Sequence, residues 1–174
     1  MLDLTNLTIG LEDFAKQIIV DAKENLTKGN TNASGKLSES LIFNRAIVRQ
    51  KSLEISVNMK PYGAFIDQGV SGVDVKYDTK FSYTNKKPPP SALDGWMVKR
   101  GIAPRNKTGQ FLDRKAIQWA ISTSIFHKGI KPRKFLTNAV EKNFKLLPEM
   151  IRDKFSLDVK NTVQLLIKTN FNKK

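Results

Sequence analysis

The hydrophobic period of this chain changes twice along its length, and that change limits its architecture more than any other feature. Leu7, Leu11, Phe14, Ile18 and Ala22 recur three or four residues apart, which predicts a helix over residues 6–28. Glu12 and Asp13 lie early in it and Lys28-Gly29 close it, as the helix dipole and a left-handed glycine stop require. From Leu41 the repeat shortens. Leu41 and Phe43 are followed by Ala46 and Val48 on a shifted phase, a polar turn at Arg49-Gln50-Lys51-Ser52, and the clean alternation Leu53, Ile55, Val57. Two antiparallel strands are expected, with a bulge allowed near Asn44. Helical spacing returns in Leu136, Val140, Phe144, Leu147, Ile151 and Phe155, across Pro148, as one kinked helix or two. The fold class is α+β: a small antiparallel sheet packed by N-terminal and C-terminal helices, with a long basic loop or ribbon inserted.

The stretches between these elements are short or irregular. "GNTNASG", residues 29–35, is rich in turn formers and reads as a mobile loop. "PYGAFIDQGV", residues 61–70, is a short element around an apolar centre; residues 70–90 read as a loop or ribbon, and Pro88-Pro89-Pro90 as an extended approach. Ser91 can cap a short helix ended by Gly101, with Leu93, Trp96 and Met97 on one face, so that Trp96 is assigned to core packing. Asp113 can cap a longer helix carrying Ile117, Ile121 and Ile125, with Lys128-Gly129 as its stop. Pro132 suits the first turn of the next helix, and Phe135 and Leu136 anchor that turn on the sheet. The tail, with Val159, Val163, Leu166 and Ile167, is helical, although "VQLLIKTNF" also fits a strand. A chain of 174 residues supports one ordinary core, so residues 1–174 are read as a single domain. Residues 70–112 are its basic insertion and 148–174 its C-terminal helical extension.

Composition removes several function classes. The chain has no cysteine, which excludes disulfides, thiolate metal sites and cysteine nucleophiles. No apolar run is long enough to cross a bilayer, and Met1-Leu2-Asp3 opens no signal-peptide pattern, so no membrane partner is expected. The formal charge is +14, and residues 76–134 hold fourteen Lys/Arg against Asp78, Asp94 and Asp113. A positive field so localised suits a polyanionic or acidic neighbour, or else a solvated basic face.

Catalysis finds little footing. His127 is the one histidine, near the C-terminal end of a helix, with no evident base, nucleophile or orienting partner. The acids form scattered pairs such as Glu12-Asp13 and Glu149 with Asp153, without a histidine–carboxylate ligand cluster. "GNTNASGKLS" misses the phosphate-loop pattern: Gly29 and Gly35 enclose five residues, and Leu37 stands where Ser or Thr must hold magnesium. The expectation is therefore no enzyme, with no catalytic residue, cofactor or metal. Nucleic-acid contact is better supported, because Lys86, Lys87, Lys99, Arg100, Arg105, Lys107, Arg114 and Lys115 lie among Phe81, Tyr83, Trp96 and Phe111. No recognition helix or stacking sheet is complete, so a small basic, sequence-independent nucleic-acid-binding protein stands as the alternative function.

Four stretches occur in a familiar order. "SGKLSESL" at residues 34–41, "YGAFIDQG" at 62–69, a helix carrying Trp96, and "GIKPRKFLTNAV" at 129–140 together resemble the neck, head–tail connector and tail-completion proteins of tailed bacteriophages. That family shows a Thr/Ser-Gly-x-Leu-x-x-Ser-Ile/Leu start to its first strand, a Tyr-x-x-Phe/Tyr-Ile/Val-Glu/Asp-x-Gly turn, and a Gly-Ile-x-Pro-x-x-Phe-Leu lead into its last helix. The likeness spans residues 30–145; Asn138 stands where members often carry a proline. The resemblance implies a structural virion protein, assembled in the host cytoplasm and located in the neck or tail. It would form a homo-oligomeric ring between portal or adaptor and tail proteins, around the DNA channel. Its basic side chains Lys86, Lys87, Arg100, Arg105, Lys107, Arg114, Lys131, Arg133 and Lys134 would then face genomic DNA or an acidic neighbouring ring, with Pro132, Phe135 and Leu136 anchoring the last helix. The three cations of 131–134, at the positive end of that helix, fit an anionic partner there or simple solvation.

Overall fold

The computed structural model describes residues 3–30, 34–44, 46–49 and 52–171. The chain is helix-rich α+β with two small antiparallel sheets, and it divides into two compact units. The loop expected at 31–33, the turn residues Gln50 and Lys51, the first two residues, and the side chains of Leu166 and Ile167 lie outside what is described.

The first unit comprises Met1–Asn25, Ser40–Met59 and Leu136–Lys174. Helix α1, Thr5–Lys28, follows the expected span, and Leu7, Leu11, Ile18 and Ala22 are buried along it as the spacing requires. Phe14 is only half-buried; Ala15, fully buried beside it, occupies the centre of that face. The expected hairpin forms as two short ladders. Strand β1, Ile42–Phe43, pairs with β4, Val57–Asn58, and β2, Ile47–Arg49, pairs with β3, Ser52–Glu54. Ile42 stands opposite Asn58 and Phe43 opposite Val57, whereas Ile47 stands opposite Glu54, so three residues on one side span the same gap as two on the other. That one-residue offset in register accords with the bulge that the phase shift near Asn44 allows.

Two helices complete this unit: α6, Phe135–Phe144, and α7, Leu147–Phe171. The helical path is interrupted at Lys145 and Leu146 and resumes with Pro148 in the first turn of α7, where a missing N–H costs nothing. The tail is helical through Phe171, so the strand alternative for "VQLLIKTNF" is corrected. Leu7, Leu11 and Ala46 form a buried cluster against which Val48, Ile55, Leu147, Met150 and Ile151 pack, joining strands to both terminal helices. Gly10 permits a close approach there, because a Cβ at that position would lie 2.8 Å from Met150 Sδ and 2.9 Å from Lys154 Cγ.

Two polar contacts that no periodicity announces hold α7 and α6 to α1. Asp158, 2% exposed, accepts the backbone N–H groups of Asn6 and Leu7, each at 3.0 Å, and the Asn6 amide at 2.8 Å. It satisfies the second and third N–H groups of α1 from more than 150 residues away, the first, of Thr5, going to Asp3, and its charge suits the positive end of that helix. Asp21, also buried, accepts the Asn143 amide at 2.7 Å and Lys142 Nζ at 3.0 Å. The Asn143 hydrogen bond holds its carboxyl below the ordinary value of 3.8, against the opposing effect of burial and with help from Lys142.

Removing the Asp158 carboxylate strands two backbone donors in a buried setting. Asp158→Ala should lower the unfolding free energy by about 2 kcal/mol, read by urea denaturation followed by circular dichroism. Because the folded-state pKa of Asp21 is depressed, its contribution is complete above about 3.8 and is lost as the pH falls through the lower folded value. Asp21→Asn should therefore flatten the loss of stability between neutral and strongly acidic pH, seen as a smaller fall in Tm than in the parent.

Candidate interaction surface

The second unit, Leu26–Glu39 with Lys60–Phe135, contains every candidate site residue except Leu136. It holds 17 Lys/Arg against 6 Asp/Glu, a net +11 of the chain's +14, so the charge concentrates in one folded unit as well as in one stretch of sequence. Its elements are α2, Lys36–Ser40, which ends in the first unit, then α3, Tyr62–Gln68, a 3-10 turn at Pro90–Leu93, α4, Asp94–Lys99, and α5, Arg114–Lys128. "SGKLSESL" is therefore a helical turn before β1 and not the start of a strand. Leu37 and Leu41, four apart, are both buried, and the N–H of Glu39 closes a turn on the Gly35 carbonyl at 2.9 Å.

Two of the four motif stretches turn out to be one piece of structure. Val70 and Ile130 exchange both backbone hydrogen bonds, at 2.9 and 2.8 Å. The N–H groups of Arg133 and Lys134 reach the Ile66 and Asp67 carbonyls at the end of α3, at 3.0 and 2.9 Å. On the other side, Val73 donates to Phe126 and Asp74 to His127, both at 3.0 Å, which satisfies the last carbonyls of α5. Glycine makes this possible. Gly69 and Gly129 have φ of 76° and 74° with ψ near 180°, a region open essentially to glycine alone. A Cβ on Gly72 would stand 2.0 Å from the His127 oxygen, and one on Gly129 2.1 Å from the Val70 oxygen.

This pairing corrects the placing of Pro132. Helix α6 begins only at Phe135, and Pro132 lies in the extended segment before it, packed over Gly69. The helix does not start earlier because Lys134 takes a φ of +49° that leaves the helical path; the N–H groups of 133 and 134, which a first helical turn would leave unpaired, find partners on α3 instead. Phe135 is 1% exposed and among the largest fully buried side chains, while Leu136 is half-buried. Lys131, Arg133 and Lys134 all have exposed side chains on this approach.

The remaining basic residues fall into two kinds. Lys86 and Lys107 are exposed, and Lys87 lies over the Trp119 ring at 4.0 Å. The three arginines are held in place: Arg100 on Asn30, Arg114 on Asp94 at 2.7 Å, and Arg105 stacked 4.0 Å over Phe111 while donating to the Gly109 carbonyl at 3.1 Å. Residues 104–112 form a closed hairpin, in which Asn106 Oδ1 accepts from the N–H groups of Thr108 and Gln110 at 3.0 and 2.9 Å. His127 Nδ1 lies 2.9 Å from Asp74 at the end of α5. No three His, Asp or Glu side chains among the described residues gather as a metal site would need, and no described helix is long and apolar enough to cross a membrane.

Sequence reasoning placed Asp113 correctly as the α5 cap, its carboxylate accepting the Ala116 N–H at 3.1 Å, and Gly129 as its stop. It misplaced Ser91, which lies inside the 3-10 turn; Pro89 precedes that turn and supplies no side-chain cap. Trp96, assigned to core packing, is 41% exposed, and Met97 alone of that face is buried. A signal for the inner face of α5 was present in Gln118 and Ser122, four apart and both buried. Gln118 donates to Asp94, and the Ser122 hydroxyl donates to the Pro88 carbonyl, an acceptor in a proline run that has no N–H of its own. Also unforeseen is a groove between Phe65, Phe81 and Tyr83, with Phe65 edge-on to Phe81 at 4.6 Å and Lys80 at its rim; burial pushes the Tyr83 phenol above its ordinary value of 10.0. Neither a family model, a curated protein nor a solved structure matches the chain.

The glycine lock yields a contrast within one unit. Gly72→Ala and Gly129→Ala should each cost about 3 kcal/mol or more, since the two backbones must part and lose hydrogen bonds. Gly95→Ala, in α4 with open space where the Cβ would point, should instead stabilise by about 0.5–1 kcal/mol; chemical denaturation of the three variants checks both signs.

Proposed function

We propose that this chain is a structural protein of a tailed-bacteriophage virion, one subunit of a ring at the head–tail neck in a connector, tail-completion or tail-terminator role. The observation that carries the reading is the backbone lock between residues 66–75 and 126–134. It joins two of the stretches that resemble the neck-protein family, which lie some sixty residues apart in sequence, into a single rigid piece. Such a piece suits a mechanical task, in which subunit contacts transmit position and no bond is made or broken. On this reading residues 70–112 are the basic insertion and 148–174 a C-terminal helical extension. Lys86, Lys131 and Arg133, exposed on the unit that carries +11, would face the channel DNA or an acidic ring above or below.

Immunogold labelling of particles from cells that encode the chain tests this directly. Label confined to the neck or tail is expected, and particles free of the protein would refute the proposal. Particles assembled with Lys86→Glu, Lys131→Glu and Arg133→Glu together should retain less DNA or assemble poorly, while the variant keeps the parent's Tm.

One observation favours a second reading, a small basic nucleic-acid-binding protein. The groove of Phe65, Phe81 and Tyr83 beside Lys80 combines aromatic rings with a cation, as single-strand binding requires. That reading requires the isolated chain to bind DNA with a Kd of about 100 µM or tighter at physiological salt, with an affinity that falls steeply as salt rises.

A further inference from the structure

We propose that the face built from α4, the 104–112 hairpin and the start of α5 is a docking site for an acidic polypeptide segment with apolar anchors. This inference does not rest on the virion reading. The groove there is lined by Met97, Val98, Ile102, Pro104, Leu112 and Ile117. Val98, Phe111 and Leu112 are 61%, 64% and 46% exposed, so its rim presents large apolar side chains to solvent.

The surface is preformed. Leu112 donates to the Pro104 carbonyl at 3.0 Å, Asn106 donates to Gln110 at 2.8 Å, and the Asn106 side chain ties the tip from inside. A partner meeting a hairpin already closed in this way has little ordering to impose, which favours binding.

Charge selects the partner. Arg114 lines the groove and Arg105 lies over its Phe111 ring, while Lys99, Lys107 and Lys115, all exposed, belong to the same α4, hairpin and α5 segments. The two acids of this stretch are already engaged: Asp94 accepts from Arg114 and Gln118 at 2.7 and 2.6 Å, and Asp113 caps α5. The rim is thus positive, and carboxylates on the partner complement it.

The lining distinguishes a polypeptide from a nucleic acid. Bases bind by stacking on open ring faces, yet the Phe111 ring is covered on one side by Arg105, and the groove wall is mainly aliphatic. Aliphatic walls with a cationic rim fit an amphipathic segment that carries apolar side chains three or four residues apart, flanked by Glu or Asp.

Selection from a library of short random peptides displayed against the full chain tests this. Enriched peptides should pair apolar anchors with carboxylates, and the tightest of them should bind Val98→Asp and Leu112→Asp at least about tenfold more weakly by fluorescence anisotropy. If either aspartate variant has a lowered Tm, Val98→Ser and Leu112→Ser make the same comparison. The proposal is overturned if no peptide is enriched over the unloaded support, or if the enriched peptides lack carboxylates. It is equally overturned if folded variants bind those peptides like the parent, or if the substitutions weaken duplex DNA binding and leave peptide binding unchanged.

Discussion

The second unit depends on a close approach of backbone to backbone, between residues 66–75 and 126–134, and much of that unit is arranged around it. Once Val70 and Ile130 are paired, the end of α3, the end of α5 and the approach to α6 share one hydrogen-bonded seam. Each of those helix ends would otherwise leave carbonyl groups without partners. The seam leaves no room for side chains at Gly72 and Gly129, so glycine is a spatial requirement at both and, at Gly129, a conformational one as well. In the first unit the same need is met by a side chain: the carboxylate of Asp158 satisfies the start of α1.

These contacts mark the limit of what the residues alone disclose. Helix α1, the hairpin with its offset register, the Asp113 cap and the Gly129 stop were legible because each depends on neighbours a few positions away. Pro132 was misplaced because its surroundings are set by Gly69, more than sixty residues earlier. Ser91 was misread as a cap because the proline run before it leads into a 3-10 turn. Trp96 shares the spacing of Leu93 and Met97, but a helix of six residues buries only a narrow strip, and Met97 fills it. The resemblance makes Ser34–Leu41 the start of a strand, although the four-residue spacing of Leu37 and Leu41 favours a turn of helix.

The candidate site residues were legible as a charge excess and not as a geometry. Sequence placed Arg100, Arg105 and Arg114 in one basic run with Lys86 and Lys107, yet the arginines are held by Asn30, Phe111 and Asp94 while the lysines extend outward. That division follows from chemistry: a planar guanidinium can stack and donate in several directions at once, whereas an ammonium on a flexible stem gains less from being fixed. Folding therefore turns a uniform run of charge into arginines fixed against the fold and exposed lysines, Lys107 on the 104–112 hairpin and Lys86 outside it.

Hydrogen exchange followed by NMR reads the seam most directly, because it reports on its amides one by one. If the two stretches are a single locked piece, the N–H groups of Val70, Val73, Asp74, Ile130, Arg133 and Lys134 exchange together and as slowly as the amides in the middle of α5, although none of them lies inside a helix. Exchange of those amides at the rate of open loops, with α5 still protected, would contradict the account.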